Sequence, residues 1–207
     1  MKTKMIILAI LIGVLGGQAQ NLQIPHYTIV PIENYWTYKD AHGIPDGTYF
    51  KDVNHVLDKY VGTWEGTYEN KSFLFEIDTL LGYSSDPRPS LKFDEMRLRY
   101  DITDLSGNVI VSTLNASNGN ALMGMTFERF NNHERYEIIY SGPNGEDVKC
   151  GDSGTFKLQF IPINSKIKLF FYPKNVFVTD EDCPNGFTAP PFPDSNNEAP
   201  MVLTKQD

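Results

Sequence analysis

Met96-Arg97-Leu98-Arg99-Tyr100-Asp101-Ile102 alternates apolar and charged residues without a break. Successive side chains of an extended backbone point to opposite faces, so this stretch reads as a strand with one face in a core and the other in water. The same period of two runs through Phe73, Phe75 and Ile77 against Glu76 and Asp78, and through Trp64, Gly66 and Tyr68 among polar neighbours. Further runs of this kind fall at 108–114, 121–127, 134–141, 155–162 and 166–172, with a last one near 200–204. Turn clusters separate them: Ser106-Gly107-Asn108, Asn118-Gly119-Asn120 and Pro143-Asn144-Gly145. A series of about eight or nine short strands predicts a mainly β fold, either barrel or sandwich. A single antiparallel β-barrel is the expectation, because closure removes the edges such a meander would otherwise present.

One helix is expected, just before the strands. Phe50, Val53, Val56, Leu57 and Tyr60 repeat at spacings of three and four, Lys51, Asn54, His55 and Asp58 fall on the other side, and Gly62 offers a stop. Asp46 or Thr48 is placed to cap its start. Upstream, 20–48 is punctuated by Pro25, Pro31 and Pro45 and reads as an irregular arm. The first nineteen residues read as a signal peptide: Lys2 and Lys4, an apolar run from Met5 to Leu15, then small residues at Gly17 and Ala19. The run is shorter than the roughly 18 to 20 apolar residues a spanning helix needs. The division is therefore a signal peptide over 1–19, an arm over 20–48 and a β-barrel domain over 49–207, which includes a long loop over 173–199 with five prolines. The expected setting is outside the cytoplasm: periplasmic, cell-surface or secreted.

The formal charge is -8, and losing Lys2 and Lys4 takes it to about -10. With no basic stripe beyond the isolated pairs Arg97/Arg99 and Arg129/Arg135, nucleic acid is not an expected partner. The two cysteines, Cys150 and Cys183, are expected to form a disulfide in an oxidising compartment, tethering the proline-rich loop to the rim. The four histidines are scattered, so no zinc site and no cofactor is expected.

Gly47-Thr48-Tyr49-Phe50-Lys51-Asp52 followed by Leu57-Asp58-Lys59-Tyr60-Val61-Gly62-Thr63-Trp64-Glu65-Gly66 resembles the N-terminal signature of an uncharacterised family of exported Bacteroidota proteins. The likeness extends to the closing Leu203-Thr204-Lys205-Gln206. It implies an exported β protein and brings no activity. Members of that family commonly carry a lipid-anchoring cysteine after the signal peptide, which positions 16–24 lack. Gly62-Thr63-Trp64 is also similar to the Gly-x-Trp motif of lipocalins and other calycins, which implies a barrel whose tryptophan closes one end beneath an arginine near the last strand. This chain departs from that pattern, since its C-terminal strand offers only Lys205 and no arginine. Trp64 is accordingly expected to point inward against Val53, Leu57 and Tyr60.

Three motifs carry chemistry on paper. Gly151-Asp152-Ser153-Gly154 matches the nucleophile string of trypsin-like proteases, with His42 and Asp101 upstream in the same order. Thr155 replaces the next glycine, however, and the string is equally a turn before a strand. Asp180, Asp182, Asn185 and Gly186, with Glu198 beyond, fall out of frame for a calcium loop. Asp78-Thr79-Leu80 resembles the O-glycosylation acceptor of exported Bacteroidota proteins, with Thr79 as the acceptor.

The resulting expectation is a non-enzymatic exported barrel that binds a small hydrophobic ligand through Trp64, Tyr68, Phe75, Tyr100, Phe160 and Phe171. The alternative is an envelope structural or interaction protein with a solid core, and the most remote reading is a serine hydrolase using Ser153. The inward sets Phe156, Leu158, Phe160 and Ile167, Leu169, Phe171 are wholly apolar. That composition suits a filled core or an apolar ligand.

Overall fold

Lys92–Asp104 forms β5, and its alternation divides as its composition dictates: Met96, Leu98, Tyr100 and Ile102 are fully buried, while Arg97, Arg99 and Asp101 keep contact with water. The structure, a computed structural model, describes residues 26–83, 90–115, 122–130, 133–143, 153–174, 183 and 190–206. One edge of β5 pairs antiparallel with β4 (Lys71–Tyr83) from Asp104 down to Phe93. Three strands share the other edge. β2 (Thr48–Lys51) runs parallel at Lys92 and Phe93, β7 (Leu122–Phe130) is antiparallel at Met96 to Leu98, and β6 (Val109–Ser112) is antiparallel at Asp101 to Thr103. The other strands are β1 (Thr28–Pro31), β3 (Gly62–Tyr68), β8 (His133–Tyr140), β9 (Gly154–Ile161), β10 (Lys166–Pro173) and β11 (Met201–Lys205). The hydrogen-bonded order is β1-β2-β5-β4-β3-β11-β10-β9-β8-β7.

The mainly β class is as predicted, and the sheet curls strongly into a barrel-like wall. The simple closed antiparallel barrel of eight or nine strands does not form. Eleven strands are described, two pairings (β1 with β2 and β2 with β5) are parallel, and the far strand β7 meets β5 over only three register pairs. The reason lies in β5, which is thirteen residues long and outruns any single partner on its second edge. Ile32, Leu57 and Tyr60, from the segments that precede β3, join the main core, each fully buried, and Tyr60 lies against Phe127 and Tyr136.

The seam itself is knotted by a side chain. The Tyr136 hydroxyl on β8 accepts the amide of Met96 at 2.9 Å and donates to the carbonyl of Gly124. A Cβ at Gly124 would lie 2.5 Å from Cε1 of Tyr136 and 2.7 Å from Cγ1 of Ile138, so a glycine there is what lets the ring reach the seam.

The expected helix over 50–60 is absent. Phe50 ends up in β2, and the Asp52 carboxylate accepts the amides of Val56 at 2.7 Å and Leu57 at 3.0 Å, organising turns in place of a helix. His55, at φ 56°, breaks helical geometry outright. Thr48 caps no helix; its hydroxyl donates to the Pro45 carbonyl at 2.7 Å. The helix forms instead at α1 (Tyr35–His42), inside the segment expected to be irregular. Pro31 and Pro45 bracket it rather than interrupt it, Pro31 standing just before a 3-10 turn at Ile32–Asn34 that leads into α1. Tyr35 and Tyr38 of α1 pack on a second, smaller core of Val30, Phe50, Leu91 and Phe93, with Phe50 stacked on Phe93 at 5.1 Å.

Among the described residues, no helix is long and apolar enough to cross a membrane.

Candidate functional site

The β3–β4 hairpin turns on Glu69 and Asn70, both left-handed at φ 45° and 61°, the conformation a two-residue hairpin loop requires. That turn sets Tyr68 beside Lys71 at one rim of the curled sheet. Opposite it stands the end of β10, with Phe171 and Pro173. Between them descends the second half of the proline-rich loop. Ser195 fastens it: its amide donates to the Phe171 carbonyl at 2.8 Å, and its hydroxyl accepts the Phe171 amide at 3.0 Å. Tyr68 donates its hydroxyl to Glu198, closing the other side.

These elements enclose a rim cavity of about 560 Å³ lined by Tyr68, Phe171, Phe192, Pro173, Pro190 and Pro191, with Glu69, Lys71, Asp194 and Glu198 at its margin. The marginal charges are already engaged. Glu69 lies 4.0 Å from Lys71, Asp194 accepts the amides of Asn196 and Asn197, and Glu198 accepts Tyr68. Burial and the Glu198 carboxylate together push the Tyr68 phenol up, so it stays a neutral donor at ordinary pH. The free chemistry of the cavity is apolar and aromatic.

Beneath it, Phe192 fills the middle of the curled sheet. Its ring meets those of Phe73, Phe75, Tyr100, Tyr140, Phe156 and Phe171 with centroids 4.7 to 6.4 Å away, and it is 5% exposed. Sequence reasoning missed this residue, although a signal existed. In Pro190-Pro191-Phe192-Pro193 the aromatic is held between prolines, so little backbone freedom is lost when its ring is buried.

The six residues expected to hold a ligand divide among three places. Phe75, Tyr100 and Phe171 are 0 to 1% exposed and surround Phe192. Tyr68 is half-buried at the rim. Trp64 and Phe160 lie in a separate contact, edge to face at 6.5 Å. Trp64 points inward as expected, fully buried, with its Nε1 donating to the Tyr60 carbonyl at 2.7 Å. Its cover is a turn rather than a helix, and Val53 is 42% exposed instead of packed. Lys205 lies over the indole, its Nζ 5.5 Å from the ring centroid.

The residues of the protease-like motif are not brought together. Ser153 is buried before β9, His42 is exposed at the end of α1 against Tyr38, and Asp101 faces outward on β5. Cys150, Gly151 and Asp152 lie outside the described residues, as do Asp180, Asp182, Asn185 and Gly186; Cys183 is buried. Thr79 is half-buried in the middle of β4 opposite Met96, and its neighbour Asp78 is paired with Arg97 and Arg99. Among the described residues, no group of three or more His, Cys, Asp or Glu converges on a metal position. No protein-family model, curated protein or solved structure matches this chain.

Proposed function

We propose that this chain is an exported, non-enzymatic binding protein that takes a small hydrophobic ligand at the rim of its curled sheet. The observation that carries the reading is the cavity between Tyr68, Phe171, Phe192 and the loop prolines, apolar in its floor and satisfied in its charges. Such a lining rewards an apolar ligand, and the acids at its margin already hold hydrogen bonds or an ion pair within the rim. Lys205 over Trp64 supports the lipocalin-like element of the reading, a basic residue of the last strand covering the tryptophan that closes one end. Nile red titrated into the full chain should bind saturably at one site, be displaced by a fatty acid, and bind several-fold more weakly to Tyr68→Ala. Weak, non-saturating fluorescence would instead favour the interaction-protein reading. That second reading draws on the filled interior around Phe192 and on Leu105, Val109 and Ile110, which are 78%, 60% and 50% exposed on the β5–β6 hairpin.

The exported setting also implies the Cys150–Cys183 bridge. Cys183 is 2% exposed on the same loop that carries Phe192, so a bridge there would restrain the plug. Closing a loop of about thirty residues stabilises a fold by roughly 3 to 4 kcal/mol on the chain-entropy account. Non-reducing peptide mapping should recover the two cysteines linked; two free thiols in the native protein would remove this element.

A further inference from the structure

Outside the curled wall, a second concavity has the opposite chemistry. It is a groove of about 650 Å³ on the outer faces of β11, β3, β4 and β5. The strand register aligns Thr204, Glu65, Leu74 and Asp101 in one row across it. A second row sets Thr67 beside Ser72 and Ser72 beside Thr103. All of these alternate with buried neighbours such as Trp64, Phe73, Phe75, Tyr100 and Ile102, which is why they face outward.

The two carboxylates flank an apolar residue and are not engaged by nearby cations. Arg99 is taken by Glu76 and Asp78, Arg97 by Asp78, and Lys205 lies over Trp64. Asp101 Oδ1 is buried with no hydrogen-bond partner among the described residues. No lysine or arginine lines the groove, which excludes an anionic ligand. Glu65 and Asp101 stand two strands apart, roughly 10 Å between their backbones. Among the described residues no third His, Cys, Asp or Glu joins them to complete a metal position.

We propose that this groove binds a small linear polyamine. One ammonium group pairs with Glu65 and another with Asp101. The methylenes between them lie over Leu74, and the hydroxyls of Thr67, Ser72 and Thr103 accept remaining N–H groups. A neutral polyol would leave both carboxylates without countercharge, so the charge of the groove favours the amine.

Calorimetric titration of the full chain with spermidine at low salt tests this. One-site binding is expected, weakening steeply as salt is raised, with propylamine binding at least about tenfold more weakly because it satisfies only one carboxylate. Glu65→Gln and Asp101→Asn should each cut affinity about fivefold or more, while Glu33→Gln, at an acid outside the groove, leaves it unchanged. Thermal unfolding of each variant is recorded alongside; should Asp101→Asn fail to fold, the exposed Glu65→Gln still decides. The proposal is overturned if spermidine binds no tighter than propylamine, if Glu65→Gln binds like the unaltered chain, if Glu33→Gln weakens binding equally, or if trehalose binds and spermidine does not.

Discussion

The hydroxyl of Tyr136 accepts the amide of Met96 at 2.9 Å, at the point where β7 returns to β5. Met96 and Gly124 are register partners there, and the hydroxyl also donates to the Gly124 carbonyl. A side chain of a third strand thus takes the place of a backbone rung at the short seam between β7 and β5.

Tyr136→Phe keeps the ring and removes this bridge, stranding a buried N–H and a buried C=O. The expected loss is roughly 2 to 4 kcal/mol in urea unfolding, with faster hydrogen exchange at Met96 than at neighbouring β5 amides paired to β4. A loss under about 0.5 kcal/mol with unchanged exchange would show that the seam does not depend on the hydroxyl.

Trp64→Ala removes a fully buried indole together with its bond to the Tyr60 carbonyl. The expected cost is about 3 to 5 kcal/mol. Trp64→Phe retains part of the packing, loses the donor and should cost less, about 1 to 3 kcal/mol. Equal costs for the two variants would assign the whole effect to the lost hydrogen bond.

Phe192→Ala empties the centre of the aromatic cluster. Destabilisation of about 3 to 5 kcal/mol is expected, and the space left behind should take up benzene or xenon, seen as a larger rise in thermal midpoint with ligand than the unaltered chain shows. If stability is unchanged, the ring is not the plug that its six contacts describe.

Burial pushes the phenols of Tyr60 and Tyr136 above their ordinary value of 10.0. Below pH 10 both are protonated in the folded and the unfolded chain and stability does not depend on them. Above it, the unfolded chain releases protons that the folded one retains, so stability should fall with rising pH, by about 1.4 kcal/mol per pH unit for each phenol. Urea midpoints measured from neutral pH upward, together with tyrosinate absorbance, check this. Tyr60→Phe should make the decline shallower, and a flat profile above pH 10 would contradict it.

The period of two in Met96–Ile102 and Phe73–Ile77 was enough to assign strands and their buried faces, because side-chain direction in a strand is a local property. The inward course of Trp64 was legible for the same reason. The helix expected at 50–60 failed because a pattern with helical spacing also serves Phe50, Leu57 and Tyr60 when they are delivered to two different cores by a strand and a turn; the Asp52 carboxylate, capturing two amides, decided between them. Ligand candidates chosen for aromaticity and inward parity turned out to be spread over the core, the rim and the Trp64 contact, since parity says which face a residue takes and nothing about what meets it there. The partition of β5's second edge, the descent of Phe192 between its prolines, and the alignment of Glu65, Leu74 and Asp101 across three strands all depend on which distant segments become neighbours. Alternation alone separated inside from outside in the strands it marked, which did not include β1 and β2; register and partner came from contacts between residues far apart in the chain, which no local pattern encodes.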